Sequence, residues 1–220
     1  MDCSEIIRDI NSIYQRFRIP PSLQRHMQRV TAVGKVICEH WNGPQLNEEE
    51  IVAILLIHDV GNIVKIDFET EQGLKMIGND AQRLEYWKQV KREIIEKYGK
   101  DDHEVTKRMV MELGISSRLQ FLMENKEINR VKFVFQSSDW ELKIISYADQ
   151  RVGPFGTVSL KDRFDDLKQR YGNKKESIVS DPQFDIWVED AFELEKQIFE
   201  KTGIMADEVN DKTIKKVMEF

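Results

Sequence analysis

Cysteine is almost missing from this 220-residue chain: Cys3 and Cys38 are too few for a disulfide framework and lack the spacing of a metal-binding pair. Proline is scarce as well, at 5, beside 11 glycines, so little in the sequence interrupts long helices. There is no surplus of positive charge. The 33 lysines and arginines against 39 acidic residues give a formal net charge of -6, which excludes a general electrostatic footprint for duplex nucleic acid. A local basic pocket remains compatible with that balance. Long hydrophobic runs are lacking too: the longest, residues 51–57, falls far short of the roughly 20 apolar residues that span a bilayer. With no leader-like start and little cysteine, the chain is expected to be cytoplasmic, with no membrane partner.

What is present is helical patterning. Hydrophobic residues make up 40% and charged residues 33%, the composition of a globular domain with a real core. Ser4 is expected to cap a helix to about residue 18, and Ser22 to open another to about residue 41. The second carries Met27, Val30, Val33, Val36 and Ile37 at helical spacing. Asn47 followed by three glutamates marks a strong helix start for residues 51–57, ending near Gly61. Residues 62–79 show no sustained period and read as a loop, in the manner of a lid. Helices are expected over 80–98, 102–113 and 116–123, with Gly99 and Gly114 as stops. Residues 130–135 alternate as a strand would. Ser138 and Ser159 are expected to cap helices to about 151 and 171, a long helix to cover 182–202, and Asp211 to cap a short last one. The reading is all-α: a helical core over 1–171 and a C-terminal helical extension, 172–220, packed on it. No internal repeat or low-complexity tract occurs.

Four histidines can be weighed singly. His58-Asp59 closes the most apolar helix and offers a nitrogen and an oxygen ligand side by side. His26 shares a face with Val30, Val33 and Ile37, and Asp149 shares one with Leu142, Ile145 and Val152. A buried carboxylate without a positive partner is costly. Three helices thus each point a metal-ligating group inward, a coincidence that favours a divalent cation. His40 lies about 21 Å further along the helix of His26, at 1.5 Å per residue, and cannot reach the same ion.

The ordered set His26, His58-Asp59 and Asp149, the last inside Ser146-Tyr147-Ala148-Asp149-Gln150-Arg151, resembles the H…HD…D pattern of the HD-domain phosphohydrolase superfamily. The resemblance runs from about Ser22 to Tyr171. It implies an all-α HD-domain bundle in which His26, His58, Asp59 and Asp149 ligate one divalent metal. That donor set suits manganese, iron, cobalt, nickel, zinc or magnesium. The implied activity is hydrolysis of a phosphate ester or nucleotide, with a small, nucleotide-like phosphorylated partner and self-association left open. Asp59 and His103 would then be catalytic, His103 standing where some subfamilies place an added histidine. Binuclear members carry one more histidine before the last Asp; here only Gln136, Ser137 and Ser138 precede that helix, so one ion is expected. Asp67 matches a carboxylate that assists water attack in the nucleotidase-like branch. Asn62 stands where many members have a lysine, leaving Lys65 as the nearest amine. Arg29, Lys65, Arg151 and Lys161 are the candidate phosphate-binding cations, and Arg29, three residues from His26, flanks the ligand. The alternative readings are a regulatory HD module that binds a nucleotide without turnover, an oxygen-activating di-iron protein, which would need more histidines, and a purely structural helical protein.

Overall fold

The helix starts are set by short polar side chains that satisfy otherwise orphaned N–H groups. In the computed structural model, which describes residues 1–172 and 177–218, helix α1 (Cys3–Arg16) opens on Asp2 in a reciprocal capping box with Glu5. Helix α2 (Pro21–Glu39) starts on a proline, whose missing N–H is no loss there. Asn47 accepts from Glu50 N–H to begin α3 (Glu48–Ile57), with three acidic residues on its positive end. Every residue of α3 from Ile51 to Ile57 is buried. A helix apolar all round belongs in the centre, and α3 packs against α1, α2 and α9 (Trp140–Gln150).

The peripheral helices are α4 (Glu71–Ile77), α5 (Leu84–Tyr98), α6 (Asp102–Met111), α7 (Ser117–Asn125) and α8 (Val131–Gln136). After α9 come a two-residue hairpin, β1 (Val152–Gly153) with β2 (Gly156–Thr157), then α10 (Leu160–Tyr171), α11 (Phe184–Phe199) and α12 (Asp211–Ile214). The fold is an all-α helical bundle. Among the described residues no helix is long and apolar enough to cross a membrane.

Several expectations are corrected. Residues 130–135 are not a strand: Val131 and Val134, three apart, form the buried face of α8. Residues 62–79 are not a loop either. A 3-10 turn over Asn62–Lys65 leads into α4, capped by Thr70, and a second turn follows at Gly78. Ile63, Val64, Ile66, Phe68 and Ile77 are buried there. Turns this short bury apolar residues without a helical period, which is why the pattern looked irregular. Asp2, Asp139 and Asn210 cap where Ser4, Ser138 and Asp211 were expected, and the 80–98 and 182–202 helices are shorter, as α5 and α11. Of the expected 172–180 loop, residues 173–176 lie outside the described residues. The C-terminal stretch packs back: α11 lies on α8 and α9, and Gly203 N–H donates to His40 C=O.

Candidate metal centre

The centre is assembled from the ends and faces of three core helices. His58 is the C-cap of α3, a helix whose end is pinned where the Tyr14 hydroxyl donates to Leu56 C=O at 2.7 Å. Asp59 begins the turn that follows. Gly61 closes that turn against α6, its N–H donating to Thr106 Oγ1 at 3.1 Å. A β-carbon at Gly61 would stand 2.5 Å from the Thr106 backbone nitrogen, so only glycine lets α6 come this close. His26 enters from α2 and Asp149 from α9.

The ligand atoms of His26, His58, Asp59 and Asp149 all lie within 4.8 Å of one another. Asp59 Oδ2 is 3.5 Å from His26 Nε2 and 3.6 Å from His58 Nε2, and Asp149 Oδ1 is 3.3 Å from His58 Nε2. His58 is fully buried, and its Nδ1 lies 2.7 Å from Leu55 C=O. That contact makes Nδ1 the protonated nitrogen. Nε2 then directs its lone pair at two carboxylates, and it is a buried atom with no hydrogen-bond partner among the described residues. A lone pair against two anionic oxygens is repulsive, and only a proton or a cation at Nε2 relieves it. Burial resists charging His58, but Asp59 and Asp149 outweigh burial and raise its pKa. Burial likewise opposes the charges of Asp59 and Asp149, yet His58 and Lys126 overcome it and hold both carboxyls below the usual range. Two imidazole nitrogens and two carboxylate oxygens are a donor set for a divalent ion, and these four residues could hold one.

A second row of charge extends outward from Asp149. Lys126, the C-cap of α7, lies 3.7 Å from Asp149 Oδ2 and donates to Glu127 Oε1 at 2.7 Å. Glu127 Oε1 is also 3.3 Å from His103 Nδ1. Burial would raise the Glu127 carboxyl, but Lys126 and His103 bring it down to about 2. Glu127 in turn raises the pKa of His103. Asp102 continues the row, 3.9 Å from His103 Nε2 and 2.7 Å from Lys65 Nζ.

The chain matches no family model, no curated protein and no solved structure.

The structure brings His26, His58, Asp59 and Asp149 together and sets His103 and Lys65 on the adjoining charged row. Lys65 is exposed, and its ion pair with Asp102 raises its pKa. Arg29 is half-buried on α2 and makes no hydrogen bond or ion pair among the described residues. Three candidates are placed elsewhere. Asp67 is exposed in the turn before α4, its carboxylate accepting from Glu69 N–H. Arg151 is buried and bonded to Tyr147 Oη and to the carbonyls of Val158, Ala206 and Val209, so its donors are committed to the C-terminal stretch. Lys161 is exposed and paired with Asp165. His40 closes α2 with Nδ1 on Val36 C=O.

Sequence reasoning missed Lys126, Glu127 and Arg163. Residues 124–130 are mostly polar and carry no period, so nothing in the pattern distinguishes a buried lysine there. Arg163, on α10, has a buried Nε with no partner among the described residues, and its Nη1 stands 3.9 Å from Asp166. Burial lowers its pKa, against which Asp149 and Asp59 act.

Proposed function

We propose that the chain is a metal-dependent phosphohydrolase of the HD-domain type, acting on a phosphate ester or nucleotide, in which His26, His58, Asp59 and Asp149 hold one divalent ion. The observation that carries this reading is the buried His58 Nε2, set against the oxygens of Asp59 and Asp149 with no hydrogen-bond partner among the described residues. Four donors from three helices converge where a cation would turn mutual repulsion into coordination. When bound, such an ion supplies Lewis acidity and an activated water at neutral pH. The protein's own groups do the rest. Leu55 C=O fixes the His58 tautomer, as a supporting partner of a ligating histidine commonly does. Among the described residues Arg29 makes no hydrogen bond and Arg163 Nε has no partner, leaving guanidinium donors suited to the equatorial oxygens of a phosphoryl group. His103, its Nδ1 set against Glu127, keeps Nε2 to exchange a proton with the substrate's leaving oxygen.

The test is a phosphatase screen of chelator-stripped protein over nucleoside mono- and triphosphates, cyclic dinucleotides and small phosphate esters, adding each first-row metal and magnesium in turn. Metal-dependent phosphate release that is lost in Asp149→Asn is the expected result. Asp149→Asn removes one anionic ligand while keeping its shape, and metal affinity should drop by roughly 10–100-fold or more. Release that survives both chelation and His58→Ala would overturn the reading.

A further inference from the structure

Asp149 offers its two oxygens to two different places. Oδ1 faces the four-residue cluster, 3.3 Å from His58 Nε2, while Oδ2 lies 3.7 Å from Lys126 Nζ. Lys126 Nζ reaches Glu127 Oε1 on its other side, and that oxygen also meets His103 Nδ1. A carboxylate shared between an ion site and a second cation is the arrangement of a two-cation centre. Here the second cation is covalent. The Lys126 side chain is only 2% exposed, and of its three donors only one makes a hydrogen bond among the described residues. Its backbone closes α7, where the negative end of the helix favours positive charge. Its Nζ stands 2.7 Å from the Glu127 carboxylate and 3.7 Å from that of Asp149.

We propose that Lys126 occupies the second cation position of the centre, so that the native chain holds a single ion and its ammonium balances Asp149 and Glu127 as a second ion would. The proposal rests on the metal-centre reading above. It also implies a latent ligand set: Asp149 Oδ2, Glu127 and His103 supply two carboxylates and an imidazole, donors suited to a divalent ion once the ammonium is gone.

The test counts Mn2+ bound to the full, chelator-stripped chain by calorimetric titration and elemental analysis. The native chain and Lys126→Arg, which keeps the charge, should each take one equivalent. Lys126→Gln and Lys126→Ala should take two, with an exchange-coupled Mn2+ pair in the paramagnetic resonance spectrum. Adding Glu127→Ala to Lys126→Ala should return the count to one. Two equivalents in the native chain, or one in both neutral variants, would overturn the proposal while leaving the first site intact. No Mn2+ bound by the native chain would instead remove the metal-centre reading itself, and this proposal with it. If a neutral variant folds only with Mn2+, the amount needed for refolding reports the same count; a variant that Mn2+ cannot restore also counts against Lys126 as an ion's substitute.

Discussion

At the scale of single residues, the informative side chains are those whose hydrogen-bonding capacity is not met inside the protein. Arg163 is the clearest after His58. Its Nε is buried and has no partner among the described residues, and its guanidinium stands 3.9 Å from Asp166 without a hydrogen bond to it. Burying donors without acceptors costs stability, and native proteins keep such groups chiefly where a ligand completes them. Arg163→Gln should therefore raise KM for the phosphorylated substrate about 10- to 100-fold, the worth of a charge-assisted bond of roughly 1.5–3 kcal/mol. The melting temperature should hold or rise. Steady-state kinetics and a thermal melt on the one variant decide; unchanged KM with a lower melting temperature would make Arg163 structural. Glu127 yields a prediction about pH. Its carboxyl is lowered from 4.5 to about 2, burial notwithstanding, by Lys126 and His103. Its contribution is therefore full above about pH 4.5 and lost as pH falls toward 2. Urea midpoints of the native chain and Glu127→Gln should converge over that window, and a constant gap would refute the assignment.

At the scale of elements, the centre depends on how closely helices approach. Gly61 lets the turn after Asp59 meet the start of α6, the helix that also carries His103. Gly61→Ala would place a β-carbon 2.5 Å from Thr106 N and 2.9 Å from Val105 Cγ1. Because the first of these is backbone, α6 itself must move, at a cost of about 1–3 kcal/mol. A reduced denaturation midpoint, with turnover falling more than metal occupancy, is the expected pair of results; full activity would mean that His103 does not need its place against the metal turn. The same elements show what was legible in the sequence. The three ligand-bearing helices could be read because each is long, periodic or capped: Asn47 with its glutamates, the valine stripe of α2, the apolar face of α9. The short turns over 62–83 and the six-residue α8 could not, since elements of one or two turns repeat their buried positions too few times to reveal a period. Lys126 and Arg163 escaped for a different reason. Their link to the centre is to Asp149, far off in the sequence for Lys126 and on another helix for Arg163, and no local pattern records that. Arg151, two positions from Asp149, has its donors on Tyr147 Oη and on the carbonyls of Val158, Ala206 and Val209, contacts that only the folded chain creates.

At the scale of the whole molecule, the centre and the C-terminal stretch share one helix. Asp149 takes α9 to the cluster, while Tyr147 and Arg151 on the same helix engage Glu195 and the carbonyls of Ala206 and Val209. An ion held by His26, His58, Asp59 and Asp149 would join α2, α3 and α9, which already pack on one another at the core. Such an ion binds the folded state alone, because the unfolded chain scatters the four ligands across more than a hundred residues. At a free concentration of 100 times its Kd the ion should therefore add about 2.7 kcal/mol of stability. For a chain of this size that raises the melting temperature by roughly 5–10 °C. The shift should be absent in His58→Ala, where the buried nitrogen donor is gone. It should shrink in Asp149→Asn, whose metal-free form should melt lower than the native chain's because His58 and Lys126 lose a buried carboxylate partner. An Asp149 that is structural only gives a different metal response: its variant would also melt lower without metal, but added metal would shift it as much as the native chain. Melting curves of the native chain and both variants, with and without metal, separate the two, and an identical shift in His58→Ala would place the ion elsewhere on the molecule.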